Sequence, residues 1–165
     1  MTFAPRTWVV GEVVTAAYLN QEVRDQFNSI ISAWTSYTPV WTAATTPPAL
    51  GNGTLLGAYM KVGRTCHVQL DFTAGSTTTY GAGQWSFSLP AQATAVQGPR
   101  IGLAQANGTI RAAGHTNVSA SATTFQCFFP QTSSVSNLSP NGAANPFTWA
   151  SGNTLRCTLT YETAA

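Results

Sequence analysis

The stretch TLLGAYMKVGRTCHVQLDFTA, residues 54 to 74, decides the fold class. From Thr65 onward, Cys66, Val68, Leu70 and Phe72 alternate with Thr65, His67, Gln69 and Asp71. A period of two puts the first set on one sheet face and the second on the other, which a helix cannot do. Residues 54 to 62 form a second strand-like run. The Gly63-Arg64 step between the two runs is short enough to close an antiparallel hairpin.

The same grammar continues downstream. Trp85, Phe87 and Leu89 share a face before Pro90 stops the run, and residues 100 to 106 turn at Asn107-Gly108 into residues 109 to 113. Residues 115 to 121 and 124 to 129 read as two further short strands, with Pro130 ending the second. In the final run Leu155, Cys157, Leu159 and Tyr161 point inward and Arg156, Thr158 and Thr160 outward, a strand expected to close the sheet. Residues 130 to 153 have no period and read as one long loop. About eight short strands with turn chemistry between them predict a mainly β chain: an antiparallel β-sandwich or jelly-roll-like domain over residues 37 to 165.

Upstream the chain changes character. Residues 7 to 10, TWVV, look extended, and Gly11 breaks them. Residues 14 to 34, VTAAYLNQEVRDQFNSIISAW, carry the one sustained helical period, with Ala16, Leu19, Val23, Phe27, Ile30 and Trp34 in steps of three or four. Thr15 is placed to cap a helix running to about residue 34. Residues 1 to 36 are therefore read as an arm whose helix presents Leu19, Val23, Phe27, Ile30 and Trp34 on one stripe. That stripe needs cover. The chain's own β body, further copies of the helix, or a different protein would each supply it. For the second, β-branched Val23 and Ile30 seven apart, with Leu19 at the intervening seam position, suit a parallel trimer.

Composition narrows the function. Only 7% of the 165 residues are charged against a usual quarter, while 11% are aromatic, which suits a folded β protein with a polar, uncharged surface. The net charge of +2 comes from Lys61 and scattered arginines, with no basic run to neutralise phosphates, so nucleic acid is not an expected partner. No apolar window is long enough to span a bilayer, and Glu12 interrupts the short apolar run near the start, so neither membrane insertion nor a signal peptide is expected. Cys66, Cys127 and Cys157 fall on apolar strand faces and read as buried free thiols.

The chemistry-bearing residues are sparse. After residue 36 only Asp71 and Glu162 are acidic, and His67 and His115 have no metal-ligand spacing. No nucleophile elbow, phosphate loop or dinucleotide fingerprint occurs, so an enzyme, a metal or another cofactor is not expected. Sugar binding is the better-founded chemistry. Tyr80, Asn145, Phe147 and Trp149 lie in loop segments and combine ring faces with amide hydrogen-bonding groups, although Phe147 and Trp149 would equally anchor the long loop to the core.

Two segments carry a resemblance. TWVVGEVVTAAYLNQEVRDQFNSI, followed by YTPVWTAATTPPALGNGTLLGAYMKVGRTCHVQLDFTAGSTTTYGAGQWSFSLP, resembles virion structural proteins of tailed phages, particularly those infecting actinobacteria. The resemblance covers roughly residues 6 to 90. It implies a non-enzymatic virion component, often a homotrimer, fixed to other virion proteins through its N-terminal segment and made in the host cytoplasm without export. A tail-associated protein (minor tail, fibre or tip) displaying its β domain for host attachment, with a cell-surface glycan as candidate ligand, is the first expectation. A capsid decoration or head-fibre protein and a free carbohydrate-binding module are the alternatives.

Overall fold

The computed structural model describes residues 7 to 96, 100 to 131 and 134 to 164. Thr15 caps the helix as its sequence predicts: its backbone is extended and its hydroxyl accepts from the Tyr18 amide at 3.3 Å. The helix runs as α1 (Ala16–Leu19), one π-helical stretch (Asn20–Arg24) and α2 (Asp25–Ile31). It ends earlier than expected, because Ser32 turns extended and both its amide and its hydroxyl bond back to the Asn28 carbonyl. Trp34 therefore lies beyond the helix rather than on its stripe. Residues 7 to 10 are not a strand either; the Glu12 amide bonds to the Val9 carbonyl in a turn, with Gly11 at a φ of +86°.

Ten strands follow among the described residues, and every pairing is antiparallel. They are β1 (Thr35–Tyr37), β2 (Trp41–Ala43), β3 (Thr54–Val62), β4 (Thr65–Thr73), β5 (Trp85–Ser88), β6 (Arg100–Asn107), β7 (Arg111–Val118), β8 (Thr124–Gln131), β9 (Ser134–Pro140) and β10 (Thr154–Glu162). The sheet order is β1-β3-β4-β10-β6-β7-β8-β5-β2, with β9 paired to β8. Gly63 takes the left-handed φ of +59° in the two-residue turn that sets the β3–β4 register of Thr54 opposite Thr73. Strand β10 does not close the sheet at an edge. It lies in the middle, between β4 and β6.

The sheet curls until its faces meet. Cys127 of β8 and Cys157 of β10 lie three steps apart in the strand order, yet their sulfurs are 3.3 Å apart across the interior. Strands β1 and β2 stand at opposite ends of the order although only three residues separate them in sequence. The Tyr37 hydroxyl donates to the Ser88 carbonyl, and the Val40 amide to the Ser88 hydroxyl, so this short connection ties one end of the sheet to the other.

Side-chain size follows the curl. β4, β8 and β10 send Val68, Leu70, Phe72, Phe125, Phe129, Leu155, Leu159 and Tyr161 into the core. Apart from Val118, β6 and β7 send in small residues instead, among them Ala104, Ala106 and Thr116. At Gly102 a Cβ would stand 2.2 Å from the Thr158 carbonyl oxygen, and at Gly114 2.2 Å from that of Phe128, so the backbones leave no room for larger side chains. For the same reason residues 109 to 121 are not two strands parted at Gly114; β7 runs straight through it.

Burial of titratable groups gives the fold a pH signature. Desolvation pushes the Tyr161 and Tyr37 phenols and the Cys66 and Cys157 thiols upward from their ordinary values. In the unfolded chain they ionise near roughly 8.5 for thiols and 10 for phenols, whereas the folded state holds its protons to higher pH. The unfolded state then binds fewer protons than the native one, so stability falls as pH rises. The contribution is complete below about pH 8 and is lost above it. Thermal melts should show a midpoint that is level from pH 6 to 8 and falls steeply from pH 9 to 11; a level midpoint through pH 11 would contradict this burial.

Candidate functional site

Among the described residues, the N-terminal arm carries the longest series of exposed large apolar side chains. Leu19, Val23, Phe27, Ile30 and Trp34 are 41 to 66% exposed, although each is large and apolar. Among the helix residues whose burial is described, the half-buried ones are Tyr18, Glu22, Asp25 and Gln26, off that stripe. Tyr18 packs edge-on against Trp8, with ring centroids 6.1 Å apart, and Asp25 pairs with Arg24 at 2.8 Å. Helix α2 touches the body at β3. What covers this helix therefore covers its polar side and leaves the apolar stripe in solvent, the reverse of a helix folded onto a core.

The π-helical stretch bears on that stripe. There the Asp25 amide reaches back five residues to the Asn20 carbonyl, which widens the turn. In a regular α-helix of about 3.6 residues per turn, the two four-residue steps from Leu19 through Val23 to Phe27 would carry these side chains progressively around the cylinder. The wider turn cancels part of that drift and keeps them closer to one line, with Ile30 following in α2. Sequence spacing shows the stripe; the π turn that straightens it has no signature in composition.

Of the four residues expected to hold a sugar, Phe147 and Trp149 lie inside the protein and Tyr80 and Asn145 are half-buried beside them. Phe147 and Trp149 are only 7% and 3% exposed, with ring centroids 5.0 Å apart. Trp149 packs on Trp85 at 5.1 Å, and Tyr80 stacks on the far side of that cluster, 6.2 Å from Trp85. The Asn145 amide is spent on the Ser139 and Pro140 carbonyls, and the Trp149 indole donates to the Asn145 carbonyl at 3.4 Å. A sugar needs an open ring face, and neither Phe147 nor Trp149 offers one. They anchor the segment to the core, the other role their sequence allowed. Among the described residues of the body, the exposed large apolar side chains are aliphatic: Val40, Leu56, Val96, Ile101, Leu103, Ile110 and Leu138.

The segment itself is not a plain loop. It contains β9, whose Pro140 pairs with Phe128 and Leu138 with Pro130, and β8 continues through Pro130 to Gln131 with a register shift there. A second surface that sequence reading missed is the outer face of β6, where Ile101 and Leu103 stand 69% and 71% exposed. The signal was present: in RIGLAQAN the large residues and the small ones occupy opposite faces, and the small ones face the core.

Polar chemistry on the outer face is modest. Arg156 and Asp71 pair at 3.1 Å beside a shallow depression of about 300 Å³ lined also by Gln69 and Thr158. Both partners are more than half exposed, so solvent screens the pair and its net contribution is within about 1 kcal/mol. His67 donates to or accepts from the Thr160 hydroxyl at 2.9 Å, in keeping with its place on the polar face. Among the described residues, no three histidine, cysteine or acidic side chains gather as a metal site. Among the described residues, no helix is long and apolar enough to cross a membrane.

No family model matches the chain, and no solved structure matches it. A curated relative, the Mu-like prophage FluMu defective tail fiber protein of Haemophilus influenzae, is 33% identical over 116 residues. The match takes in 68% of this chain, which spans 18% of that relative's length. The relative supports likeness to a phage tail protein, though its Haemophilus source gives no support to a specifically actinobacterial group of phages.

Proposed function

We propose that this chain is a non-enzymatic structural part of a phage tail, a fibre or minor tail segment, that associates through its N-terminal helix as a homotrimer and carries its curled β body outward for host-surface attachment. The observation that carries the reading is the inverted helix, with its polar side covered and its apolar stripe in solvent. A helix of sixteen residues is marginal in water on its own, so the stripe has to gain stability from a partner. Identical copies supply one through Val23 and Ile30, with Leu19 one turn before them on the same seam, and neighbouring virion proteins meet the same arm. Likeness to a tail fibre protein supports a tail rather than a capsid position. The buried state of Phe147 and Trp149 argues against a free carbohydrate-binding module.

The test is location. Phage particles carrying this chain, labelled with an antibody to it and viewed in negative stain, should show label on the tail or its fibres. Label on the head would replace this reading with a capsid decoration or head-fibre protein, and unlabelled particles would remove it altogether.

A further inference from the structure

We propose that Cys127 and Cys157 are a latent disulfide site: two thiols in a reducing cytosol, closing into one intramolecular cross-link when the protein meets a small-molecule disulfide oxidant. The inference is independent of the tail assignment, since it rests on the core alone. The two sulfurs are 3.3 Å apart, on inward positions of β8 and β10 that face each other across the interior. Closing that gap to the about 2.05 Å of a disulfide asks for a movement of a little over 1 Å, shared between two side chains. The link would join strands three steps apart in the sheet order, so it would fasten the curl of the sheet rather than one local hairpin.

Cys66 is the internal control. It pairs in register with Tyr161, whereas Leu70 pairs with Cys157, so Cys66 sits four residues along the strand from the thiol pair. Four residues of strand span roughly 13 Å, far outside bonding range. All three cysteines are free, as they would be in a reducing compartment.

The chemistry balances with the named oxidant. One cysteine, as thiolate, attacks a sulfur of the oxidant disulfide and expels one oxidant thiolate, leaving a mixed disulfide. The other loses its proton, attacks the protein sulfur of that mixed disulfide and expels the second oxidant thiolate. Two S–H bonds have broken and one S–S bond has formed, and the oxidant has taken the two electrons as two thiols. Both sulfurs are buried, so the rate is set by local opening of the sheet and should rise in mild denaturant.

The experiment uses the purified full chain, incubated with oxidised glutathione with and without dilute urea, then denatured, alkylated with N-ethylmaleimide and mapped by mass spectrometry. The expected product is lighter by two hydrogens, alkylated at Cys66 alone, and yields a peptide linking Cys127 to Cys157. Its thermal midpoint should rise by roughly 5–15 °C over the reduced chain. Three alkylated cysteines after exchange in urea, a stable glutathione adduct on Cys127 or Cys157, or a link that includes Cys66 would each overturn the proposal.

Discussion

Trp85→Ala should lower the stability of the β body by about 3–5 kcal/mol, as removal of a fully buried Trp side chain does. Trp85 is completely buried, and its ring meets Trp41 at 4.7 Å, Trp149 at 5.1 Å, and Phe72 and Tyr80 at 6.2 Å each. Its indole N–H donates to the Tyr80 carbonyl at 3.0 Å, so truncation also leaves that acceptor without its donor. The four partners come from β2, β4, the segment before β5 and the segment after β9, so the ring is where distant parts of the curled sheet converge. A thermal midpoint lower by roughly 10 °C or more is expected. A shift of only a few degrees would mean that this aromatic cluster does not hold the body together.

The second large effect belongs to the arm and leaves the body untouched. Val23→Asp together with Ile30→Asp should abolish association of the proposed trimer, because each copy would place two unpaired carboxylates in an apolar seam, at a cost of several kcal/mol per chain. In the single chain both positions are about half exposed, so the body should melt as before. Folding of the helix onto its own core predicts the opposite pair of outcomes: unchanged mass and a lower melting point. The double variant should also be missing from assembled particles while remaining soluble in the lysate.

The parts of this fold that were legible in the sequence are those whose side chains report a buried face. β4 and β10 announce themselves because Val68, Leu70, Phe72, Leu155, Cys157 and Leu159 alternate with polar residues on a sheet with one wet side. β9 was illegible for the converse reason. SVSNLSP pairs through its backbone with β8, and its Leu138 is 45% exposed, so it has no hydrophobic alternation to show. Pro130 misled because it marks a strand end only where a ladder amide is required, and it sits beside the register shift of β8. The central place of β10 was hidden too, since alternation says which face is buried and nothing of which strands lie on either side.

The candidate surfaces divide along the same line. The stripe of Leu19, Val23, Phe27 and Ile30 was visible by period, and Trp34 shares its spacing but lies past the point where Ser32 ends the helix. For Phe147 and Trp149, residue type alone could not separate a sugar platform from a loop anchor. Burial separates them: 7% and 3% exposure are the values of anchors. The thiol pair lay beyond sequence reading altogether, because Cys127 and Cys157 meet only through the curl of the sheet.

The most direct test of the exposed stripe as an assembly surface is the mass of the purified chain in solution. Sedimentation equilibrium at tens of micromolar should return three times 17.4 kDa for the unaltered protein and a single 17.4 kDa chain for the Val23→Asp, Ile30→Asp variant. An unaltered protein that stays at 17.4 kDa across that range would contradict the account.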